Sequence, residues 1–480
     1  MEKAFYLTTT LPYVNADPHI GFALEIVQAD ILARFKRLQG VEVFFNTGTD
    51  EHGIKIFRKA HEEGKDTQAY VDEYAERFGK LRESLNLSYD TFIRTTDPHH
   101  KAAAQEFWIR CEAAGDIYKK NYQVKYCVGC ELEKTDSELQ NGRCPLHPNL
   151  DLEVISEENY FFRFSKYQKS LLDLYARRPD LVVPDYRFNE IRSFVAQGLE
   201  DFSISRLKSK MPWGIPVPGD ETQVMYVWFD ALINYISTLG WPEDRAKFEK
   251  FWGVIPSPKA VQVAGKDNLR QQSAMWQAML ISANLPSTRQ IMIHGFITSG
   301  GQKMSKSLGN VIDPYAIIAE YGTDALRIFL ARHIHPFEDS DFTMERFKEA
   351  YNADLANGLG NLSARIMTLA ENNLAAPIEH PAPISFPTEY TEAIDKYDYN
   401  RASGVIWDRI GALDRRMTTD EPFKVVKVDL EKGRAIITEM VHELYTIARL
   451  LQPFMPATSD AIKAAVLANK KPTNLFPRKE

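Results

Sequence analysis

The first fifty residues constrain the fold most. Ala4 to Thr10 alternate and are rich in aromatic and β-branched types, which predicts a strand. From Ile20 the apolar positions Ile20, Leu24, Val27, Ile31, Phe35 and Leu38 recur at steps of three and four, a helix face with Gly40 placed to cap its end. Val41 to Thr47 reads as a second strand. Strand, helix, strand is the repeating unit of a parallel α/β sheet. His19 falls at the helix start, where unpaired N–H groups and the helix dipole attract anions. Taken alone, such a histidine is as well explained as a cap.

A second segment gives His19 its meaning. Gly300-Gly301-Gln302-Lys303-Met304-Ser305-Lys306-Ser307-Leu308-Gly309-Asn310 carries two lysines in a Gly/Ser-rich stretch, a loop able to close over phosphates. Lys303 to Ser307 match, letter for letter, the signature loop of class I aminoacyl-tRNA synthetases, and Pro18-His19-Ile20-Gly21-Phe22 is its usual partner. The chain resembles the methionyl-tRNA synthetases of that class. The likeness runs in order through Leu11-Pro12-Tyr13-Val14-Asn15, Asn46 to Gly53, Tyr226 to Ala231, Gly265-Lys266-Asp267, the lysine loop and Gln452 to Pro456. Two departures stand out. Phe22 replaces the second histidine of the His motif, and Asn268, Gln271 and Gln272 replace an isoleucine, an aromatic and a histidine.

At 480 residues the chain exceeds a single core and should divide into about two to four domains. No signal peptide or membrane span is legible, and four cysteines suggest a reducing cytoplasm rather than a disulfide framework. A net charge of −7 argues against a protein that coats nucleic acid, while leaving room for local basic patches.

The expected fold is α/β: a doubly wound parallel, Rossmann-like catalytic sheet with an inserted zinc-knuckle connective domain, followed by an all-α helical bundle. The first catalytic half spans 1–115 and the connective insertion 116–222, with its knuckle at 127–147. The second catalytic half, with the lysine loop, spans 223–343, and the helical domain 344–480. Val261–Ala264 and Gln290–Ile293 read as buried strands with a helix from Asn268 to Ser282 between them; Pro377 to Pro383 reads as a connector. Asp50, Asp267, His294 and the lysine loop all follow predicted strands, where ligands of such sheets bind.

Within the insertion, Cys127-Val-Gly-Cys130 is followed, thirteen residues later, by Cys144-Pro-Leu-His147. Two such pairs complete a tetrahedral Cys3His set with no open position, hence one structural zinc. Asn141-Gly142 supplies the tight hairpin that a knuckle requires. Cys111 stands alone in a helical stretch and is read as buried.

The resemblance implies ATP-dependent activation of L-methionine, with Mg²⁺ accompanying ATP, and transfer to tRNA(Met), including the initiator, by a monomer. His19, Lys303 and Lys306 would contact the reacting phosphates, Gly21, Gly265, Lys266 and Asp267 the nucleotide, and His294 and Gly295 the adenine edge. Leu11, Tyr13, Asp50, Trp228, Ala231, Tyr235, Asn268 and Gln272 would form the methionine pocket. Asp50 can pair with an ammonium, and the aromatic residues give a polarisable wall. Asn361, Arg365 and Phe423 match anticodon readers. Buried amides need partners, so Gln271 and Gln272 should bond each other and the backbone or face a solvent channel. The alternatives are a relative of altered amino-acid specificity, a small-molecule nucleotidyltransferase lacking any use for bundle or knuckle, and a non-catalytic tRNA-binding paralogue suggested by Phe22. About 280 residues between His19 and Lys303 are too few for the large editing insertion of the Ile, Leu and Val enzymes.

Overall fold

In the computed structural model the described residues are 4–479 except 135, 305–308 and 380–385. They cluster into two compact units, each interrupted in sequence. The first comprises Met1–Asp17, Glu42–Lys80 and Tyr89–Ile293; the second comprises Pro18–Val41, Leu81–Ser88 and His294–Glu480.

The first unit is built on a six-stranded sheet in the order Thr91–Arg94, Glu42–Thr49, Ala4–Thr9, Val261–Gly265, Gln290–His294, Val182–Val183. Ala4–Thr9 pairs in parallel with both its neighbours, Leu7 lying opposite Phe45 on one side and Val261 on the other, and both edge strands are parallel to theirs. Ala4–Thr9 and Val261–Gly265 are buried at every position, as central parallel strands must be. The edge strand Val182–Val183 comes from within 116–222, so the sheet recruits a piece of the expected insertion. The insertion also holds a four-stranded antiparallel sheet around the long pair Ile117–Cys127 and Glu153–Phe162, a smaller three-stranded sheet, and the helices Gln168–Arg177 and Asp185–Ala196. A core of Phe107, Trp108, Phe229, Trp252 and Trp276 lies in the same unit.

The predicted helix from Asn268 to Ser282 differs in form. A single turn, Lys266–Asn268, leads into a π-helical turn, Gln271–Met275, and only then into regular helix, Trp276–Ser282. The widened turn carries both unexpected glutamines. Such turns are rare and are found frequently at functional sites.

The second unit is helical. Ile20–Leu38 ends at Gln39 with Gly40 at φ +78, the left-handed residue that the sequence predicted there. After Met344 the described chain forms helices alone; Tyr351–Gly360 is π-helical and runs into Asn361–Asn373. Part of the Pro-rich connector, 380–383, lies outside the described residues. The centre of this unit holds one charge cluster. Arg327, fully buried, pairs with Asp30 at 2.8 Å and donates to the carbonyls of Leu85, Pro453 and Phe454 at 2.8–3.0 Å. Burial pushes the Asp30 carboxyl up, but Arg327, Arg34 and the Ser88 hydrogen bond outweigh it and hold it below the usual range. Arg327→Met should therefore destabilise the protein by about 3 kcal/mol, because three carbonyls lose their donor and Asp30 loses a buried cation. Urea denaturation of the variant checks this; a loss under about 1 kcal/mol would show that Arg34 compensates.

Candidate amino-acid, nucleotide and metal sites

In the first unit the chain leaves its central strand through Leu11, and Tyr13 forms a parallel bridge with Asp50. Asp50 N–H donates to the Pro12 carbonyl at 3.0 Å and Val14 N–H to that of Asp50 at 3.2 Å. The carboxyl of Asp50 is buried, and its Oδ1 has no hydrogen-bond partner among the described residues. Burial, then the charges of Asp230 and Glu131, raise its pKa well above the carboxylate range. A carboxylate held this way binds a cation strongly, because the cation removes the desolvation penalty.

Asp230 organises the surroundings. Its Oδ2 meets His52 Nδ1 at 2.7 Å and its Oδ1 meets His100 Nε2 at 2.9 Å, all three groups buried. Burial alone would raise Asp230, but the two imidazoles overcome it and hold the carboxyl at about 2. This grip fixes the short helix Val227–Ala231 that carries Trp228 and Ala231. Trp228 packs with Tyr13 and Val128 against Tyr126, Tyr226 and Val227, and its indole N–H has no partner among the described residues. Expected pocket residues Tyr13, Asp50 and Trp228 thus converge in one unit around a buried carboxyl whose Oδ1 has no partner among the described residues.

Three residues the sequence reading left unassigned support this pocket. His52 and His100 hold Asp230. Glu131, which directly follows the expected ligand Cys130, accepts from Tyr13 Oη at 2.8 Å and from Lys55 N–H at 3.1 Å. Gly53, at φ +112, admits this arrangement, since a Cβ there would lie 2.2 Å from Tyr13 Oη. The appearance of His52 inside a matching motif was the one sequence signal available.

The two glutamines depart from expectation. Gln272 does not bond Gln271; its Nε2 donates to Tyr235 Oη at 2.7 Å, while its Oε1 accepts from Gln262 at 3.1 Å. Neither faces solvent, and Gln271 Oε1 is buried with no partner among the described residues. The π turn separates the two amides and aims only Gln272 at Tyr235. Asn268 donates to Asp267 Oδ1 at 3.2 Å, on the turn that follows Gly265 and Lys266.

In the second unit His19 caps its helix: Nδ1 accepts from Gly21 N–H at 3.1 Å. That bond leaves the proton on Nε2, so the outward nitrogen is a donor. Solvent reaches this residue, yet enough protein surrounds the ring for desolvation to lower its pKa from 6.5. Gly21 permits the folded-back ring, because a Cβ there would lie 3.0 Å from it. Phe22, half-buried, occupies the next position of that helix. His294 places Nε2 2.8 Å from Glu25 and Nδ1 2.7 Å from the Gly295 carbonyl. Lys303 lies in a hairpin opposite Thr298, with Gly300 and Gly301 at positive φ and Asp341 accepting from Thr298 and Gly301 at 2.8 Å. Its side chain and all of Lys306 lie outside the described residues. Asn361 is exposed one turn before Arg365, which pairs with Asp414 at 3.0 Å, and Phe423 is 40% exposed.

The four expected metal ligands lie together, their donor atoms all within 4.8 Å. Cys130 Sγ and Cys144 Sγ are 3.5 Å apart, and Cys127 Sγ is 3.7 Å from His147 Nδ1. These spacings suit the edges of a thiolate–imidazole tetrahedron, so the set can hold a metal such as zinc. Asn141 and Gly142 are both left-handed, at φ 53 and 75, with Gln140 and Arg143 exchanging hydrogen bonds across the turn. Cys111 is apart from this set; burial pushes its thiol up to about 12.

A doubly wound sheet, a helix-capping histidine and a Lys-Met-Ser-Lys-Ser segment define a class I aminoacyl-tRNA synthetase. The chain matches the family described as tRNA synthetases class I (M) over residues 5–151 and 133–367. It is 44% identical to a methionine–tRNA ligase of Thermosynechococcus vestitus over 96% of this chain and 90% of that one, and 39% identical to that of Thermotoga maritima over 98% and 76%. Mycobacterium tuberculosis methionyl-tRNA synthetase in complex with methionyl-adenylate superposes with a TM-score of 0.88 at 34% identity, covering 100% of this chain and 99% of that one. The chain belongs to the methionyl-tRNA synthetases.

Gly129 tests the metal geometry without touching a ligand. A Cβ there would lie 2.4 Å from the His147 ring. Gly129→Ala should weaken metal affinity about 10–100-fold, as displaced ligands do. Elemental analysis and a chelator-competition titration measure it; full retention of metal would show that His147 is not held against Gly129.

Proposed function

We propose that the chain activates L-methionine with ATP and transfers it to tRNA(Met), with the residues above in defined roles. The observation that carries the reading is the Asp50 oxygen, buried without a partner beside the Tyr13–Trp228 wall. An α-ammonium supplies the missing cation, and Leu11, Ala231 and Tyr235 complete an apolar lining for a thioether side chain.

The methionine carboxylate attacks the ATP α-phosphate and pyrophosphate leaves; the tRNA 3′ hydroxyl then takes the acyl group from the adenylate. The first step asks the protein for in-line positioning and for donors where phosphate charge develops. His19 meets that need as a neutral imidazole with Nε2–H outward, and its lowered pKa keeps it neutral at working pH. Lys303 and Lys306 bring positive charge, as the matched loop implies, and the Mg²⁺ that accompanies ATP neutralises phosphate charge. Gly265, Lys266 and Asp267 hold the ribose side and His294-Gly295 the adenine. With both His294 ring nitrogens near acceptors, we assign the adenine contact to the backbone there.

We assign one zinc to Cys127, Cys130, Cys144 and His147. Four protein ligands leave no position for substrate, so its role is to fold the insertion. The division into 1–115, 116–222, 223–343 and 344–480 is carried into this reading, with the last segment reading the anticodon through Asn361, Arg365 and Phe423. We place the enzyme in the cytoplasm as a monomer; among the described residues no helix is long and apolar enough to cross a membrane.

ATP–pyrophosphate exchange across methionine, leucine, isoleucine, valine, cysteine and glutamine tests the assignment. Methionine should give the highest kcat/KM, and any other outrunning it would overturn the reading. Asp50→Asn should raise the methionine KM about 100-fold, ~2.7 kcal/mol, for loss of a buried charge partner, with the ATP KM nearly unchanged. Equal effects on both KM values would remove Asp50 from ammonium binding. In the bundle, Arg365→Ala should reduce the preference for a CAU anticodon about tenfold without slowing exchange. Identical charging of tRNAs with native and altered anticodons would exclude Arg365 as a reader.

A further inference from the structure

The helix Ile54–Glu62 starts after Gly53, which has no side chain to cap it, and it carries no acidic residue in its first turn. Its leading N–H groups need an acceptor from elsewhere. The candidate metal knuckle supplies one. Glu131 Oε1 accepts from Lys55 N–H at 3.1 Å and from Tyr13 Oη at 2.8 Å, so one carboxylate oxygen both caps the helix and holds the pocket wall. The Lys55 side chain returns the contact. Its Nζ donates at 3.1 Å to the carbonyl of Gly129, which stands between Cys127 and Cys130, and lies 5.6 Å from the centre of the Tyr13 ring.

Glu131 reaches this position from a left-handed backbone, φ 49, immediately after Cys130, and is 5% exposed. Such a conformation is uncommon away from glycine and persists only where neighbouring structure holds it. A knuckle closed round its metal fixes Cys130, and with it the residue that reaches Tyr13. Tyr13 Oη has a second acceptor, the His52 carbonyl, at 2.7 Å. Loss of Glu131 therefore leaves the hydroxyl bonded and removes only the tie to the knuckle.

We propose that Glu131 and Lys55 are positioning residues that couple the metal knuckle to the amino-acid pocket, so that metal occupancy and methionine binding strengthen each other through the placement of the Tyr13 ring. The inference rests on the assignment of Tyr13 to the methionine pocket. It gives the knuckle a part in substrate affinity besides folding the insertion, although its four ligands leave no position for substrate. Thermodynamic linkage requires the coupling to be equal in both directions, so it can be read at the metal as well as at the amino acid.

The test uses the zinc-loaded enzyme without ATP. Chelator competition measures zinc affinity with and without saturating methionine, and tryptophan fluorescence titration measures the methionine Kd. In the wild type, methionine should tighten zinc binding about fivefold, an ordinary coupling between two sites. Glu131→Ala should reduce that factor below about twofold and raise the methionine Kd about fivefold, with the ATP Kd within about twofold of wild type. Glu131→Gln keeps an acceptor oxygen and should keep the coupling. In a Tyr13→Phe background, which lacks the hydroxyl, Glu131→Ala should change the methionine Kd less than about twofold. Zinc affinity indifferent to methionine in the wild type overturns the proposal. So does full coupling in Glu131→Ala, an equal loss in Glu131→Gln, or an undiminished effect of Glu131→Ala on Tyr13→Phe. Should Glu131→Ala not fold, Lys55→Met keeps the stem, removes the ammonium and must lower the coupling; full coupling there overturns the proposal too. A folded wild-type enzyme that binds no methionine refutes the pocket assignment itself, and the coupling falls with it.

Discussion

The candidate amino-acid pocket depends on one buried carboxylate. Asp230 grips His52 with one oxygen and His100 with the other, and so joins three segments far apart in sequence. Those segments are the turn after the second strand, the helix that begins at Pro98, and the short helix bearing Trp228. A carboxylate in apolar surroundings is tolerated only when both oxygens are satisfied, and the two imidazoles do this well enough to hold it at about 2. The folded pKa lies below the unfolded one, so Asp230 stabilises the fold above the ordinary carboxylate range and loses that contribution as pH falls towards 2. The same charge also acts on Asp50, raising its pKa and strengthening its demand for a cation. One group therefore both shapes the pocket and tunes the residue that would hold the substrate ammonium.

The connective insertion belongs to this pocket more closely than its place in the chain suggests. Glu131 directly follows the candidate metal ligand Cys130 and reaches Tyr13, while Tyr126 and Val128 pack into the cluster that holds Trp228. A metal at the knuckle would thus be two residues or fewer from side chains that touch the amino-acid wall. Its insertion also gives the parallel sheet its edge strand, Val182–Val183. Connective and catalytic parts share a sheet and a pocket wall.

The departures from the family pattern fall into two kinds. Phe22 changes one donor near a helix N-terminus where His19 still caps the helix through Nδ1 and keeps Nε2–H as a donor, so the group proposed to meet phosphate is retained. Gln272 bonds Tyr235, an expected pocket residue, and comes with Gln262, Gln277 and Thr288 as a hydrogen-bonded set. Buried amides of this kind persist only when every polar atom is answered. Gln271, whose Oε1 is unanswered among the described residues, is the exception in the cluster, and nothing in the structure explains it.

Much of this was legible in the sequence. The strand–helix–strand start, the Gly40 cap, the Asn141-Gly142 turn and the Cys3His spacing are local, and each follows from residues a few positions apart. The lysine loop and its partner motif, read together, named the family. Tertiary structure alone decided who meets whom over long separations: Asp230 with His52, 178 positions apart, Glu131 with Tyr13, 118 apart, and Gln272 with Tyr235, 37 apart. It also replaced a predicted regular helix with a π turn that sends Gln271 and Gln272 to different neighbours. Local pattern fixes backbone geometry because turns, caps and metal pairs are short-range. The partner of a buried polar side chain is set by which strands and helices pack around it, and no periodicity in the chain encodes that.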